Sequence, residues 1–211
     1  MTTPLSEAML IIENTPDRSS RATTSVDAVA ALRAATHAQH AQLDNSLPLA
    51  RAQANMADYA THLVVVRDWQ LALAPWLSRA TTDPSALMLI EQDLHDCGEH
   101  LRAVHALPLP DLTLLQQADD GSNAFCWGIA YVVEGSRLGG QVLYRRLREP
   151  LAPHPLRYLG DRGKTGMSWP EMLGALREQL EGVDKCQSGC QGAVAAFETL
   201  LLRFRQAGCV V

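Results

Sequence analysis

A histidine within the apolar stripe of the first helical segment is the strongest candidate in the chain for metal chemistry. The stripe repeats at spacings of three and four residues and consists of Val29, Leu32, Thr36, His40, Leu43 and Leu47. This spacing is typical of the buried face of an amphipathic helix, so His40 is expected among buried side chains. Burial keeps an imidazole neutral, which is the form that ligates a metal. The alternative is a core histidine that bonds to a backbone carbonyl or to water.

Two further side chains on this helix bear on the same question. Arg33 precedes His40 by seven residues, nearly two turns, so both project from almost the same side. A cation there can meet a carboxylate of a ligand held by His40, or it can lie solvated at the edge of the stripe. His37 lies off the stripe and is expected to be exposed, which makes it the competing candidate for the metal ligand.

A glycine-rich helical segment is the second candidate for a binding site. The segment FCWGIAYVVEGSRLGGQVLYRRL is apolar enough for a core helix, yet it contains Gly128, Gly135, Gly139 and Gly140. Each mid-helix glycine costs about 1 kcal/mol relative to alanine, so the set costs roughly 3–4 kcal/mol of helix propensity. Glycines spaced by four and five residues clear one face and let the helix kink and its backbone contact a flat ligand. Close packing between two helices uses the same spacing, and both interpretations stay open.

The chain as a whole predicts one all-α domain with almost no strand signal. Residues 1–24 are expected to form a flexible N-terminal extension, and residues 25–208 the helical domain. The stretch 150–167, rich in Pro and Gly, is predicted to be a long connection. The predicted helices run from Ser25 to Leu47, from Asn55 with Asp58 to Leu77, from Asp83–Pro84 to Gly98 or Leu107, from Ser122 to Arg148, from Ser168 with Glu171 to Gly182, and from Lys185 to Gln206.

Composition narrows the class of protein. The formal net charge of the 211 residues is −5, which argues against broad nucleic-acid binding. No apolar run is long enough to span a bilayer, and the N-terminus lacks the pattern of a secretory signal, so a cytoplasmic location is expected. The five cysteines suggest no disulfide framework. Cys186 and Cys190 share a helix face, but two thiolates alone make a poor zinc site.

Taken together, the two helices resemble those of heme oxygenases over roughly residues 26–206. The segment LRAATHAQHAQLD is similar to their proximal helix, whose histidine binds the heme iron, and that histidine matches His40. The segment YVVEGSRLGGQVL resembles their distal helix, particularly in the bacterial branch. There Gly135 and Gly139 match the glycines that bend the helix over the oxygen-binding face of the heme, and Gly140 follows them. The form WG-x-x-YVVEGS is similar to heme oxygenases found with bacterial phytochromes.

The resemblance implies a set of site residues and one departure from the mammalian pattern. Arg33 falls where the family often has a basic residue that pairs with a heme propionate. Arg137 is a second candidate for binding the propionate. Tyr131 opens the distal motif and is expected to contact heme. Ser136 stands where mammalian members have an aspartate that orders a water beside the bound dioxygen. In bacterial members, which also lack the aspartate, this water network would depend on backbone carbonyls or on the serine hydroxyl.

The implied reaction is cleavage of heme to biliverdin, CO and ferrous iron with O2 and reducing equivalents. The resemblance implies an electron donor (ferredoxin, flavodoxin or a reductase) and, as biliverdin acceptor, a bacterial phytochrome. One alternative is a heme-binding or heme-carrying protein of the same fold without turnover, which needs the same residues. Another is a non-heme metal site on the third helix, where Glu91, His95 and Glu99 recur every four residues. A solvated face explains that pattern as well.

Overall fold

A computed structural model describes residues 26–80, 85–103, 107–161 and 167–209, and these ranges are all-α. They contain no strand, which confirms the predicted fold class. The helices are α1 (Ala28–Ser46), α2 (Met56–Leu77), α3 (Ser85–Cys97), α4 (Thr113–Ala118), α5 (Asn123–Leu147), α6 (Arg157–Gly160), α7 (Trp169–Gln179) and α8 (Val183–Gln206). Two 3₁₀ segments, Pro48–Ala50 and Gly98–Ala103, extend the series. The expected extension at residues 1–24 lies outside the described residues. None of the described helices is both long and apolar enough to cross a membrane.

Local capping signals in the sequence fix the starts of three long helices as predicted. Asn55 Oδ1 accepts hydrogen bonds from the backbone nitrogens of Ala57 and Asp58 at 2.8 and 3.1 Å. The Asp58 carboxylate accepts in return from the backbone nitrogen of Asn55 at 3.0 Å. Ser122 caps α5 by accepting from the backbone nitrogen of Phe125, and Ser168 begins α7 with its own capping box. Each of these bonds satisfies a backbone N–H that the helix itself leaves unpaired.

The structure differs from the predicted elements in two places. The N-cap of α1 is Asp27, whose carboxylate accepts from the backbone nitrogens at residues 29 and 30, and Ser25 lies outside the described residues. The predicted start of the third helix, at residues 83 and 84, also lies outside them. The connection predicted for 150–167 contains α6, a four-residue helix. A helix of one turn is too short to show periodicity, and this one depends on contacts with α3 that are distant in sequence.

Helix α8 is the central element, since α1, α2, α4 and α5 all pack against it. The contact between α5 and α8 is very close: a Cβ atom added to Gly128 would overlap the carbonyl oxygen of Gly189, and one added to Gly192 would overlap that of Phe125. Indole Nε1 of Trp69, on α2, donates to the carbonyl of Ala196 at 3.1 Å. Helices α1 and α5 are not among the pairs that pack extensively against each other. The space between them is the candidate site.

Candidate functional site

The candidate site is a mostly apolar cavity of about 70 Å³ bounded by α1, α2, α5, α6 and α8. This is smaller than the roughly 300–1,000 Å³ usual for small-molecule and cofactor sites, so the walls would have to move apart to admit a ligand of cofactor size. None of the described side chains that line it is Lys or Arg. The lining residues are His40, Leu43, Asp44, Leu47, His62, Val66, Trp69, Val132, Gly135, Ser136, Gly139, Gly140, Leu143, Tyr158, Leu159, Phe197, Leu200 and Phe204.

The histidine singled out in α1 does line this cavity. The ring of His40 meets the ring of Phe197 edge-on, with 4.3 Å between the centroids. Burial, followed by the nearby His37, lowers the pKa of His40 from 6.5 to about 4. The imidazole is therefore neutral at physiological pH and has a lone pair to offer to a metal. His37 is exposed, as the sequence predicts, and does not line the cavity.

A second histidine, His62 of α2, was not predicted from the sequence and lines the same cavity. His62 is 8% exposed, and its Nδ1 has no hydrogen-bond partner among the described atoms. Its ring lies 5.7 Å from that of Phe204. Phe197 and Phe204 are seven residues apart on α8, about 10 Å along the helix, so the two imidazoles contact different ends of that wall. The available signal was the series His62, Val66, Trp69, at spacings of four and three.

The buried state of His62 makes an expected contribution to the pH dependence of stability. Burial lowers the pKa of His62 from 6.5 to about 4. Between these values the unfolded chain binds the extra proton, so stability is retained above pH 6.5 and falls as the pH approaches 4. From pH 7 to pH 4, we expect the wild type to lose about 3 kcal/mol more unfolding free energy than His62→Leu. Urea unfolding of both proteins at the two pH values measures this, and equal losses would contradict it.

The sequence left open whether the glycines of α5 serve helix packing or a ligand site, and the structure shows that different glycines do each. Gly128 supports helix packing, since it lies against α8 where a Cβ would be 2.9 Å from the backbone nitrogen of Ala193. Gly135, Gly139 and Gly140 line the cavity. A Cβ atom at Gly139 would meet nothing within 4 Å, so its missing side chain leaves space in the cavity and not at a helix interface. α5 is one uninterrupted helix from Asn123 to Leu147.

Of the other predicted site residues, only one lines the cavity. Ser136 lines the cavity, whereas Arg33, Tyr131 and Arg137 are not among its lining residues. Arg137 is 7% exposed and pairs with the carboxylates of Glu134, at 2.9 Å, and Asp161, at 2.5 Å. Tyr131 is buried beside Trp169 of α7, with 5.8 Å between ring centroids. The structure thus brings His40, Ser136 and the three glycines together and leaves the two arginines outside.

A cysteine at the end of α3 lies near a histidine, but the two do not form a nucleophile–base pair. Cys97 Sγ lies 3.9 Å from Nε2 of His154. Nδ1 of that histidine accepts from the backbone nitrogen of Leu156, so Nε2 carries the proton and donates to the backbone carbonyl of Asp93 at 3.1 Å. His154 therefore has no free lone pair for the thiol. Burial raises the pKa of Cys97 to about 11, which keeps the thiol protonated.

The alternative metal ligands are not arranged as a site. In the part of the chain that the structure describes, no three His, Cys, Asp or Glu side chains are grouped to hold a metal ion. The side chain of His95 is 89% exposed and that of Glu91 59% exposed, as expected for a solvated face. Burial and the adjacent Cys186 raise the pKa of Cys190 to about 11, so the Cys190 thiol stays protonated at neutral pH.

Comparison with known proteins gives one informative similarity. The chain is 33% identical over 108 residues to a heme oxygenase of Xanthomonas campestris pv. campestris (strain 8004), an alignment that covers 47% of this chain. The match spans 65% of that relative's length, slightly less than two thirds. No family model matches the chain, and no solved structure matches it. The similarity supports the resemblance to heme oxygenases at the level of the family.

Proposed function

We propose that this protein is a heme oxygenase that binds heme in the cavity between α1 and α5 and cleaves it to biliverdin, CO and ferrous iron. The observation that carries the proposal is the pairing of a neutral imidazole with bare glycine backbone in one apolar cavity. His40 lines it from α1, and Gly135, Gly139 and Gly140 line it from α5. The similarity to the Xanthomonas heme oxygenase supports the same conclusion independently.

The cavity residues fit heme in chemical type. Apolar walls, including Trp69, Phe197 and Leu200, suit the porphyrin ring. His40 would be the iron ligand, because burial keeps its imidazole neutral. When bound, heme would be both substrate and cofactor, and it would supply the redox chemistry of ring opening with O2 and reducing equivalents. The protein would position it and control access to its faces.

The glycines of α5 would contribute to the site because they have no side chain. No side chain at Gly135, Gly139 or Gly140 separates the helix backbone from the cavity, so a flat ligand can lie close to the main chain. A kink at these glycines would bring the backbone closer still. Together with Ser136 they would form the wall that restricts where O2 can react on the ring.

The remaining residues would support heme from the periphery. Arg33, on the same helix as His40, is our proposed partner for a heme propionate. Arg137 is the second candidate, but it would have to leave Glu134 or Asp161 to serve. Tyr131, one turn before Gly135 and packed on Trp169, would support the α5 wall from behind. The electron donor would be a ferredoxin, a flavodoxin or a reductase, and a bacterial phytochrome is the proposed biliverdin acceptor.

A heme carrier without turnover would use the same cavity, so one experiment must distinguish binding from cleavage. The purified protein is titrated with hemin, and the complex is given ascorbate or reduced ferredoxin in air. We expect a Soret band that decays as the broad red absorption of biliverdin appears. A stable Soret band under reducing, aerobic conditions would favour the carrier, and no Soret shift on adding hemin would contradict both functions.

A further inference from the structure

The serine within the glycine run cannot itself donate a proton into the cavity. Ser136 lies between Gly135 and Gly139 on α5, and its hydroxyl donates to the backbone carbonyl of Val133 at 2.6 Å. A hydroxyl carries one proton, so this bond leaves Ser136 Oγ with lone pairs only. Toward the cavity, Ser136 can therefore accept a hydrogen bond but cannot give one.

A second hydroxyl lies beside Ser136 and has its proton to give. Tyr158, on α6, is 6% exposed and lines the same cavity as Ser136. The side-chain amide of Gln70 lies near the same hydroxyl, and its buried Nε2 has no hydrogen-bond partner among the described atoms. A phenol hydroxyl carries one proton, so Tyr158 can donate it toward Ser136 or the cavity.

The charge state and surroundings of Tyr158 favour this role as donor. Burial raises the pKa of the Tyr158 hydroxyl to about 12, although Ser136, Arg137 and Gln70 act in the opposite direction. Glu134, beside Arg137, adds to the rise. The phenol therefore keeps its proton at neutral pH.

A buried carboxylate fixes the position of Tyr158 from behind. Asp93 of α3 is fully buried, and its Oδ2 accepts from the backbone nitrogen of Tyr158 at 2.9 Å and from the hydroxyl of Tyr59 at 2.7 Å. Its Oδ1 accepts from Arg157 at 3.1 Å. These bonds hold α6 against α3, so the side chain of Tyr158 starts from a fixed backbone. A hydrogen-bond donor held in place in this way loses little entropy when a ligand arrives.

We infer that Tyr158, and not Ser136, is the hydrogen-bond donor to a small polar ligand or water on the face of the cavity that α5 covers. The inference rests on the proposed function, because it assumes that heme occupies the cavity and leaves that face open. Ser136 then serves as an acceptor that orients the phenol. Asp93 is a positioning residue, since it acts only through the backbone of Tyr158.

The test is azide binding to the hemin complexes of the wild type, Tyr158→Phe, Ser136→Ala and Tyr144→Phe, followed by absorption at pH 7. Azide is an anion that gains from a hydrogen-bond donor near its binding position. Tyr158→Phe is expected to weaken azide binding at least tenfold, the usual size for a lost hydrogen bond to a charged group. Ser136→Ala should weaken it by less than about threefold. Tyr144→Phe is the control, because this α5 tyrosine packs on Gly160 and does not line the cavity.

Each outcome has a defined meaning. Equal azide affinity in Tyr158→Phe and the wild type would overturn the inference and leave the proposed function intact. A larger effect from Ser136→Ala than from Tyr158→Phe would also overturn it, because the serine would then be the donor. If the wild type forms no hemin complex, the proposed function fails first and the inference fails with it. An unchanged Soret band in Tyr158→Phe shows that the variant still folds and binds hemin.

Discussion

Replacing Gly139 with leucine is expected to lower the rate of biliverdin formation about a hundredfold without destabilising the protein. A Cβ atom at this position would meet no atom within 4 Å, so the leucine side chain can extend into the cavity where heme is proposed to lie. Misplacing a bound substrate by about an ångström costs a factor of this size. Removing a mid-helix glycine should at the same time preserve or raise the melting temperature, since glycine is the poorer helix former by about 1 kcal/mol.

The matched control for this variant is Gly139→Ala. Alanine gives the same gain in helix propensity but adds only a methyl group to the cavity. It should therefore raise stability in the same way and lower the rate by less than tenfold. Thermal unfolding and single-turnover absorption measurements on both variants separate the two effects. Normal turnover in Gly139→Leu would contradict the role given to the α5 wall, although some hemin binding in that variant is expected.

Gly128→Ala should have the opposite effect on stability, and we expect it to lower the free energy of unfolding by about 2 kcal/mol. The added Cβ would overlap the carbonyl oxygen of Gly189 and lie 2.9 Å from the backbone nitrogen of Ala193. Both are backbone atoms of α8 that cannot rotate away, so the helices must separate. Overpacking of this kind costs about 3 kcal/mol, which exceeds the gain of about 1 kcal/mol from helix propensity.

Urea unfolding of Gly128→Ala and Gly139→Ala therefore tests whether the two glycines have different roles. The change in unfolding free energy should have opposite signs in the two variants. One variant is expected to be less stable than the wild type and the other at least as stable. If both variants were stabilised, the close approach of α5 to α8 would be wrong. If both were destabilised, Gly139 would be part of a helix interface and not of a cavity.

The parts of the fold that could be predicted from sequence are those that depend on neighbouring residues. The capping box of Asn55 with Asp58 is a local hydrogen-bonded unit, and so is the Ser122 cap of α5. The placement of His40 also followed from local periodicity, because the larger apolar residues of α1 recur at spacings of three and four. These features need no knowledge of which helices meet.

What the sequence could not supply depends on pairing between distant segments. His62 lies in a helix with three successive valines, 64 to 66, so its apolar side is poorly defined by spacing alone. The resemblance made Arg137 a candidate heme anchor, and its pairing with Asp161 could not be predicted because the two residues are 24 positions apart and meet only in the folded chain. The glycines that pack against another helix could not be distinguished from those that line the cavity before the position of α8 was known. Tyr158 was missed because α6 itself depends on the buried carboxylate of Asp93.

The assignment of His40 as iron ligand is tested most directly by the absorption spectra of hemin with the wild type, His40→Ala and His62→Ala. Both histidines line the cavity and both are neutral, so the comparison is matched in residue type and charge. We expect the histidine-ligated Soret and visible bands to be lost in His40→Ala, restored there by added imidazole, and retained in His62→Ala. Loss in His62→Ala with an unchanged spectrum in His40→Ala would contradict the assignment and move the iron to the α2 side of the cavity.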